Sequence, residues 1–126
     1  NAKTNGAAIH FVQQDILMTD RLSQMYDVII SNPPYVRFAE QAEMHPNVLN
    51  YEPHLALFVP DENPLLFYDK IAELAYRFLT PQGSLFFEIN QYLGKETQDL
   101  VRQKGFNEVI LQQDLLGNDR MLFAKR

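Results

Sequence analysis

The run Tyr26-Asp27-Val28-Ile29-Ile30-Ser31 is β-branched and nearly all apolar, and it stops at two consecutive prolines. Such a run reads as a strand buried on both faces, the pattern of a parallel sheet. Proline fixes φ, lacks a backbone donor and pushes its predecessor toward extended backbone. Asn32-Pro33-Pro34-Tyr35 is therefore a stiff loop beyond the carboxyl end of the strand, where ligands bind in open α/β sheets. Its carbonyl oxygens are free to face a ligand, with no competing N–H at Pro33 or Pro34. The plainer reading is a strand-terminating turn, since Asn and Pro both form turns. This tetrapeptide arises by chance in roughly one in a few thousand chains of this size, and its place after a buried strand favours a functional reading.

The rest of the chain supplies the partners such a strand needs. Residues 9–13 read as a short strand ending at Asp15, and residues 36–63 as a Pro-, Asn- and Glu-rich connection with a short helix near residues 40–44. Connections of that length are usually functional or mobile. Asn63 as N-cap and Pro64 in the first turn open a helix whose apolar stripe is Phe67, Ile71, Leu74, Ala75 and Phe78. Thr80-Pro81-Gln82-Gly83 reads as a turn, residues 84–89 as a strand, and residues 93–104 as a helix closed by Gly105. Residues 109–113 and 121–124 make an antiparallel pair across Leu116-Gly117-Asn118-Asp119. The order β, β, α, β, α, β, β describes an α/β sheet ending in an antiparallel hairpin.

Composition excludes several function classes. With 126 residues, 46% of them hydrophobic, the chain is one packed domain or part of one. It has no membrane-length apolar run and no signal-peptide pattern. Having no cysteine, it forms no disulfide, which fits a cytoplasmic protein. His10, His45 and His54 stand at unrelated spacings, so no metal site is expected. The net charge is −5, and residues 26–64 carry six acids against one base, Arg37. A nucleic-acid site needs clustered Lys and Arg, which this region lacks. The chain begins at Asn1 without an initiator methionine and is expected to be an excised fragment.

The tetrapeptide suits one chemistry. An amide nitrogen is a poor nucleophile because resonance delocalises its lone pair. Holding both of its N–H hydrogens on acceptors leaves the lone pair aimed at an incoming methyl group. The Asn32 side-chain oxygen and the Pro33 carbonyl are the candidate acceptors, with Tyr35 stacking on the flat group. Catalysis then comes from orientation and electrostatic preorganisation rather than a strong base. The candidate catalytic residues are Asn32, Pro33 and Tyr35, and Pro34 joins them in holding substrate.

Asn32-Pro33-Pro34-Tyr35 resembles motif IV of Rossmann-like class I amino-methyltransferases, which include adenine-N6 and glutamine-N5 enzymes. Further segments resemble the peptide-chain-release-factor glutamine N5-methyltransferases (PrmC/HemK type). They are Tyr51-Glu52-Pro53-His54-Leu55-Ala56-Leu57, Leu66-Phe67-Tyr68, Glu88-Ile89 with Gln91, and Asp114-Leu115 with Gly117 and Asp119-Arg120. The resemblance implies methyl transfer from S-adenosylmethionine to the glutamine of a Gly-Gly-Gln loop in release factors, and a cytoplasmic enzyme of translation termination. It implies that Asp15 and Ile16 flank the adenine of the cofactor beside Asn32, and that Glu52 shapes the substrate wall, although a structural or surface role for Glu52 is equally open.

Two departures accompany the resemblance. Where the family has a Gly-rich segment, this chain reads Phe58-Val59-Pro60-Asp61-Glu62-Asn63-Pro64. The Gly-rich cofactor loop and the acidic residue for the ribose are absent, so residues 1–126 are expected to be the C-terminal part of one methyltransferase domain, inactive alone. The truncated sheet is then expected to leave edges open to self-association. Two alternatives stand beside this reading: an adenine-N6 methyltransferase gripping a flipped base in DNA or RNA, and an inactive module that only binds a partner.

Overall fold

The computed structural model describes all 126 residues. In chain order it contains β1 (Tyr26–Ser31), β2 (Val36–Arg37), α1 (Pro46–Tyr51), β3 (Phe58–Val59), α2 (Leu66–Phe78), β4 (Leu79–Glu88), α3 (Gly94–Gln103), β5 (Glu108–Gln113) and β6 (Asp119–Lys125). The main sheet has the order β1-β4-β6-β5, with β1 parallel to β4 and β6 antiparallel to both its neighbours. β1, α2 and β4 form a parallel crossover, and β5 and β6 are the expected antiparallel hairpin. The architecture is a mixed α/β sheet with flanking helices, as the element order in the sequence implies.

The core forms where both long helices meet one face of this sheet. Leu85, Phe87, Val109, Leu122 and Ala124 pack there with Tyr68, Ile71, Ala72 and Ala75 of α2 and Val101 of α3. Ile71, Leu74 and Ala75 are buried as the apolar stripe predicts, but Phe67 and Phe78 are only half-buried. Tyr68 and Ala72 take the central places, because positions 68, 71, 72 and 75 share one helical seam. Tyr68 meets Phe87 edge-on at 5.1 Å and its hydroxyl donates to the Glu88 carbonyl at 3.1 Å, which satisfies a fully buried phenol.

Several expectations are corrected. Residues 9–13 form no strand, and Ile9, Phe11 and Val12 are 56%, 79% and 65% exposed. The segment joins no ladder of either sheet. β1 is present at the predicted bounds, yet Val28 and Ile30 are exposed because they point to the face of the sheet away from the core, which nothing covers. Across the face opposite the core, Ile30, Phe86, Phe123 and Ile110 stand in register with no helix above them. Thr80-Pro81-Gln82-Gly83 lies inside β4: Tyr26 pairs with Leu79 and Val28 with Ser84, so the turn is extruded as a bulge opposite Asp27. The α2 helix starts at Leu66 rather than at Asn63, and Asn63 contributes its carbonyl to the Leu66 N–H instead of a side-chain cap.

Residues 36–63 are more ordered than a loop. β2 and β3 pair in parallel, and 3-10 turns at Phe38–Glu43 and His54–Ala56 flank α1. The expected short helix is the first of these turns. Phe38 stacks on Phe58 at 4.9 Å, and His54 meets the same ring edge-on at 5.4 Å. The sequence that departs from the family's Gly-rich segment thus supplies a buried anchor, Phe58-Val59. No helix is long and apolar enough to cross a membrane.

Gly105 closes α3 as predicted, with φ at +105°. A Cβ there would also approach the Tyr76 ring to 2.8 Å. Gly105→Ala is therefore expected to cost about 1–3 kcal/mol, read as a lower urea midpoint with an unchanged slope.

Candidate functional site

Because Pro33 and Pro34 have no N–H to donate, the loop after β1 is held from its two ends. Upstream, Ser31 pairs with Phe87 of β4. Downstream, Tyr35 is tied to three residues from two parts of the chain, Leu57 and the Glu88–Asn90 stretch. Its N–H donates to the Leu57 carbonyl at 3.2 Å, beside the Val36 N–H, which donates to the same oxygen at 2.9 Å. Its hydroxyl donates to Glu88 Oε1 at 2.7 Å, and its carbonyl accepts from Asn90 Nδ2 at 3.0 Å. Burial, and then the hydrogen bond and negative charge of Glu88, push the Tyr35 hydroxyl up to about 12. It stays a donor at neutral pH and cannot serve as a base there.

Asn90 is 4% exposed and belongs to a polar cluster behind the loop. Its Nδ2 also donates to Glu40 Oε2 at 2.8 Å and Oε1 at 3.2 Å, while its Oδ1 accepts from the Tyr92 N–H at 2.9 Å. Glu40 accepts from the Arg37 backbone N–H and Nη2, both at 2.8 Å. Burial disfavours the Glu40 carboxylate, but the Arg37 donors and Asn90 outweigh it and hold the group below the ordinary carboxylate value. Tyr92 lies under the Arg37 guanidinium and donates from its hydroxyl to Glu43 at 3.0 Å.

Besides a cavity of about 330 Å³ that Asn32 lines with Ile30, Phe86 and Met121 on the uncovered sheet face, three cavities border the tetrapeptide. Asn32, exposed and without a side-chain hydrogen bond, lines one of about 200 Å³ with Pro33, Tyr35, Met44 and Leu57. A second, of about 180 Å³, lies between Tyr35, Glu40, Asn90, Gln91 and Arg120. The third, of about 590 Å³, is the open apolar space between the 12–22 segment, β1 and α2, and Ile16, Pro33 and Pro34 are among the residues that line it. Asp15 sits next to Ile16 but is exposed, and its Oδ1 accepts from the Leu17 N–H at 2.9 Å, an Asx turn. Glu52 is exposed at the end of α1 and lines none of the three. The structure therefore gathers Asn32, Pro33, Pro34, Tyr35 and Ile16, sets Asp15 beside them, and leaves Glu52 outside.

The scattered family-like segments converge on this junction. Leu57 holds Tyr35 and Val36, Glu88 holds Tyr35, Tyr68 holds the Glu88 carbonyl, and Gln91 and Arg120 share a cavity with Tyr35. Asp114 caps the hairpin turn through the Leu116 and Asn118 N–H groups. Asp119 packs against Gly94 at the start of α3, where a Cβ would collide with it.

No family model matches the chain. It is 56% identical over 122 residues to a release factor glutamine methyltransferase of Flavobacterium psychrophilum, covering 97% of this chain and 43% of that protein. It is 46% identical over 121 residues to the enzyme of the same name from Bacteroides thetaiotaomicron, covering 95% of this chain and 44% of that one. Over nearly its whole length the chain matches part of the release factor glutamine methyltransferases. It spans less than half the length of those relatives. The fold is also that of a release-factor-specific protein-(glutamine-N5) methyltransferase from Alicyclobacillus acidocaldarius, with a TM-score of 0.52, 24% identity and coverage of 82% of this chain and 50% of that one. A methyltransferase from Pyrococcus furiosus superposes with a TM-score of 0.62 at 18% identity, over 99% of this chain and 53% of that one.

Glu40, Asn90 and Arg37 escaped sequence reasoning. Glu40 lay in a stretch read as connection, and Asn90 sat between the matched Glu88-Ile89 and Gln91 without a signal of its own. The spacing Arg37 to Glu40, with Glu40 turning back to the Arg37 N–H, is the one local sign available, a capping-box arrangement.

A tyrosine raised in the folded state contributes stability that is present below its ordinary 10.0 and lost as pH climbs through about 12. Tyr35→Phe is expected to remove one phenolate absorbance step near pH 12, and about 1–3 kcal/mol of stability at neutral pH. A removed step centred at 10.0 in the difference titration would show the hydroxyl to be unheld.

Proposed function

We propose that the protein containing this chain transfers a methyl group from S-adenosylmethionine to the side-chain amide nitrogen of a glutamine in a peptide chain release factor. The observation that carries this reading is a loop clamped at Tyr35 in which the exposed Asn32 side chain makes no hydrogen bond and Pro33 and Pro34 have no N–H. The 56% identity to an enzyme named for that activity supports the substrate. Since the chain covers only 43% of that enzyme, the remaining cofactor and docking surfaces are assigned to the rest of the protein, with residues 1–126 a C-terminal part of its catalytic domain. The uncovered sheet face at Ile30 and Phe86 and the open β1 edge support that assignment.

The residues present fit the methyl donor in part of its outline. Ile16, Pro33 and Pro34 offer apolar walls for a purine, and Asp15 keeps an Oδ2 that accepts no hydrogen bond, suited to an exocyclic amino group. Bound, S-adenosylmethionine supplies the electrophilic methyl. The chain's own residues hold the acceptor amide: Asn32 Oδ1 and the Pro33 carbonyl take its two N–H hydrogens and fix the lone pair in line. Tyr35, its hydroxyl spent on Glu88, offers its ring as a wall of fixed plane. Glu88 is thereby occupied as an acceptor for Tyr35. The setting proposed for this reaction is the cytoplasm, where release factors act.

Asn32→Ala in the intact protein is expected to lower turnover about a hundredfold, the scale of one preorganised polar contact. An unchanged rate would reduce the tetrapeptide to a turn. Methyl transfer from labelled donor to a release factor, run beside DNA and RNA oligonucleotides, tests the substrate class; transfer to nucleic acid alone would overturn it in favour of base methylation.

A further inference from the structure

We infer that Asn90, oriented by Glu40, is a positioning residue that sets the acceptor loop from behind; this rests on the proposed role of Asn32 and Pro33. Asn90 is buried and every polar atom of its side chain is engaged. The Glu40 carboxylate is acceptor-only and is itself held by both Arg37 donors, so it forces the NH₂ side of the Asn90 amide toward itself. The opposite side of the amide must then face the Tyr92 N–H. In that one orientation Nδ2 also reaches the Tyr35 carbonyl at 3.0 Å.

The Tyr35 carbonyl matters because of what precedes it. Between Ser31, the last ladder residue, and Tyr35 there are two residues with no N–H at all, Pro33 and Pro34. The peptide planes that carry the Asn32 and Pro33 oxygens have no hydrogen bond of their own to neighbouring backbone N–H groups. Their aim is set by the anchors at either end. Glu88 restrains the Tyr35 ring and Leu57 its N–H, while Asn90 is the side chain that restrains its carbonyl. Glu40, Arg37 and Asn90 thus form a relay of fixed orientation, and none of them lines the cavity that Asn32 shares with Pro33.

The test uses Asn90→Ala and Asn90→Asp in the intact protein. Asn90→Asp keeps the shape but removes the donor and sets a carboxylate against Glu40. Both are expected to lower kcat at least about tenfold, with KM for the release factor and the affinity for S-adenosylmethionine within about twofold. A loss confined to thermal stability, with kcat unchanged in folded protein, overturns the inference, as does a loss confined to KM. Amide hydrogen exchange supplies a readout independent of the substrate. Asn90→Ala is expected to speed exchange at the Tyr35 and Val36 N–H groups at least about tenfold while leaving the β4 and β6 amides slow. Unchanged exchange at Tyr35 and Val36 overturns the positioning role. If the unmodified protein methylates no release factor, the functional reading falls alone, and the exchange result still decides the clamp.

Discussion

The organisation of this molecule around its site depends on how a loop without backbone donors is held. Two consecutive prolines end β1 cleanly, but they also deprive the chain of the N–H groups by which loops are normally fastened. The fastening is moved to Tyr35, which uses its N–H, carbonyl and hydroxyl on three different partners. The partners come from two stretches far apart in sequence: Leu57 before β3, and Glu88 with Asn90 at and just beyond the end of β4. The loop is rigid because the tertiary structure closes around one side chain.

That arrangement explains why residues 36–63, rich in residues that usually mark irregular chain, are organised. The Phe38–Phe58 stack and the β2–β3 pair bring Leu57 under Tyr35, and the 3-10 turn brings Glu40 against Asn90. A buried carboxylate is costly unless its charge is met. Here three donors from Arg37 and Asn90 meet it, so the ion pair specifies one orientation of the Asn90 amide in addition to any stability it contributes. The acidity of the region, which in sequence argued against nucleic acid, is therefore partly internal: Glu40, Glu43 and Asp27 each have a partner within the chain.

The sheet carries an asymmetry that periodicity alone does not report. Alternation along β4, β5 and β6 sends Leu85, Phe87, Val109 and Leu122 to the helices, while Phe86 and Ile110 face the other way. Both faces are apolar, so β1 reads as a doubly buried strand, yet one face here has no cover. Sequence pattern encodes what a face is suited to meet, and the structure of this chain records what meets it within 126 residues.

Local chemistry made much of this protein legible from its residues alone. The prolines marked the end of β1, Gly105 the end of α3, and Gly117 the hairpin turn, because each depends on a backbone property of a single residue. The tetrapeptide Asn32-Pro33-Pro34-Tyr35 was legible for the same reason, and its neighbouring segments carried the resemblance. What only the tertiary structure decided are the relations between distant positions. Residues 9–13 have strand composition but no ladder to join, Glu52 belongs to a matching segment but stands apart from the cavities, and Glu40 and Asn90 meet across fifty positions of chain. A strand, a wall or a clamp needs a partner, and a partner's position is set by the packing of the whole chain rather than by the identity of the residue that waits for it.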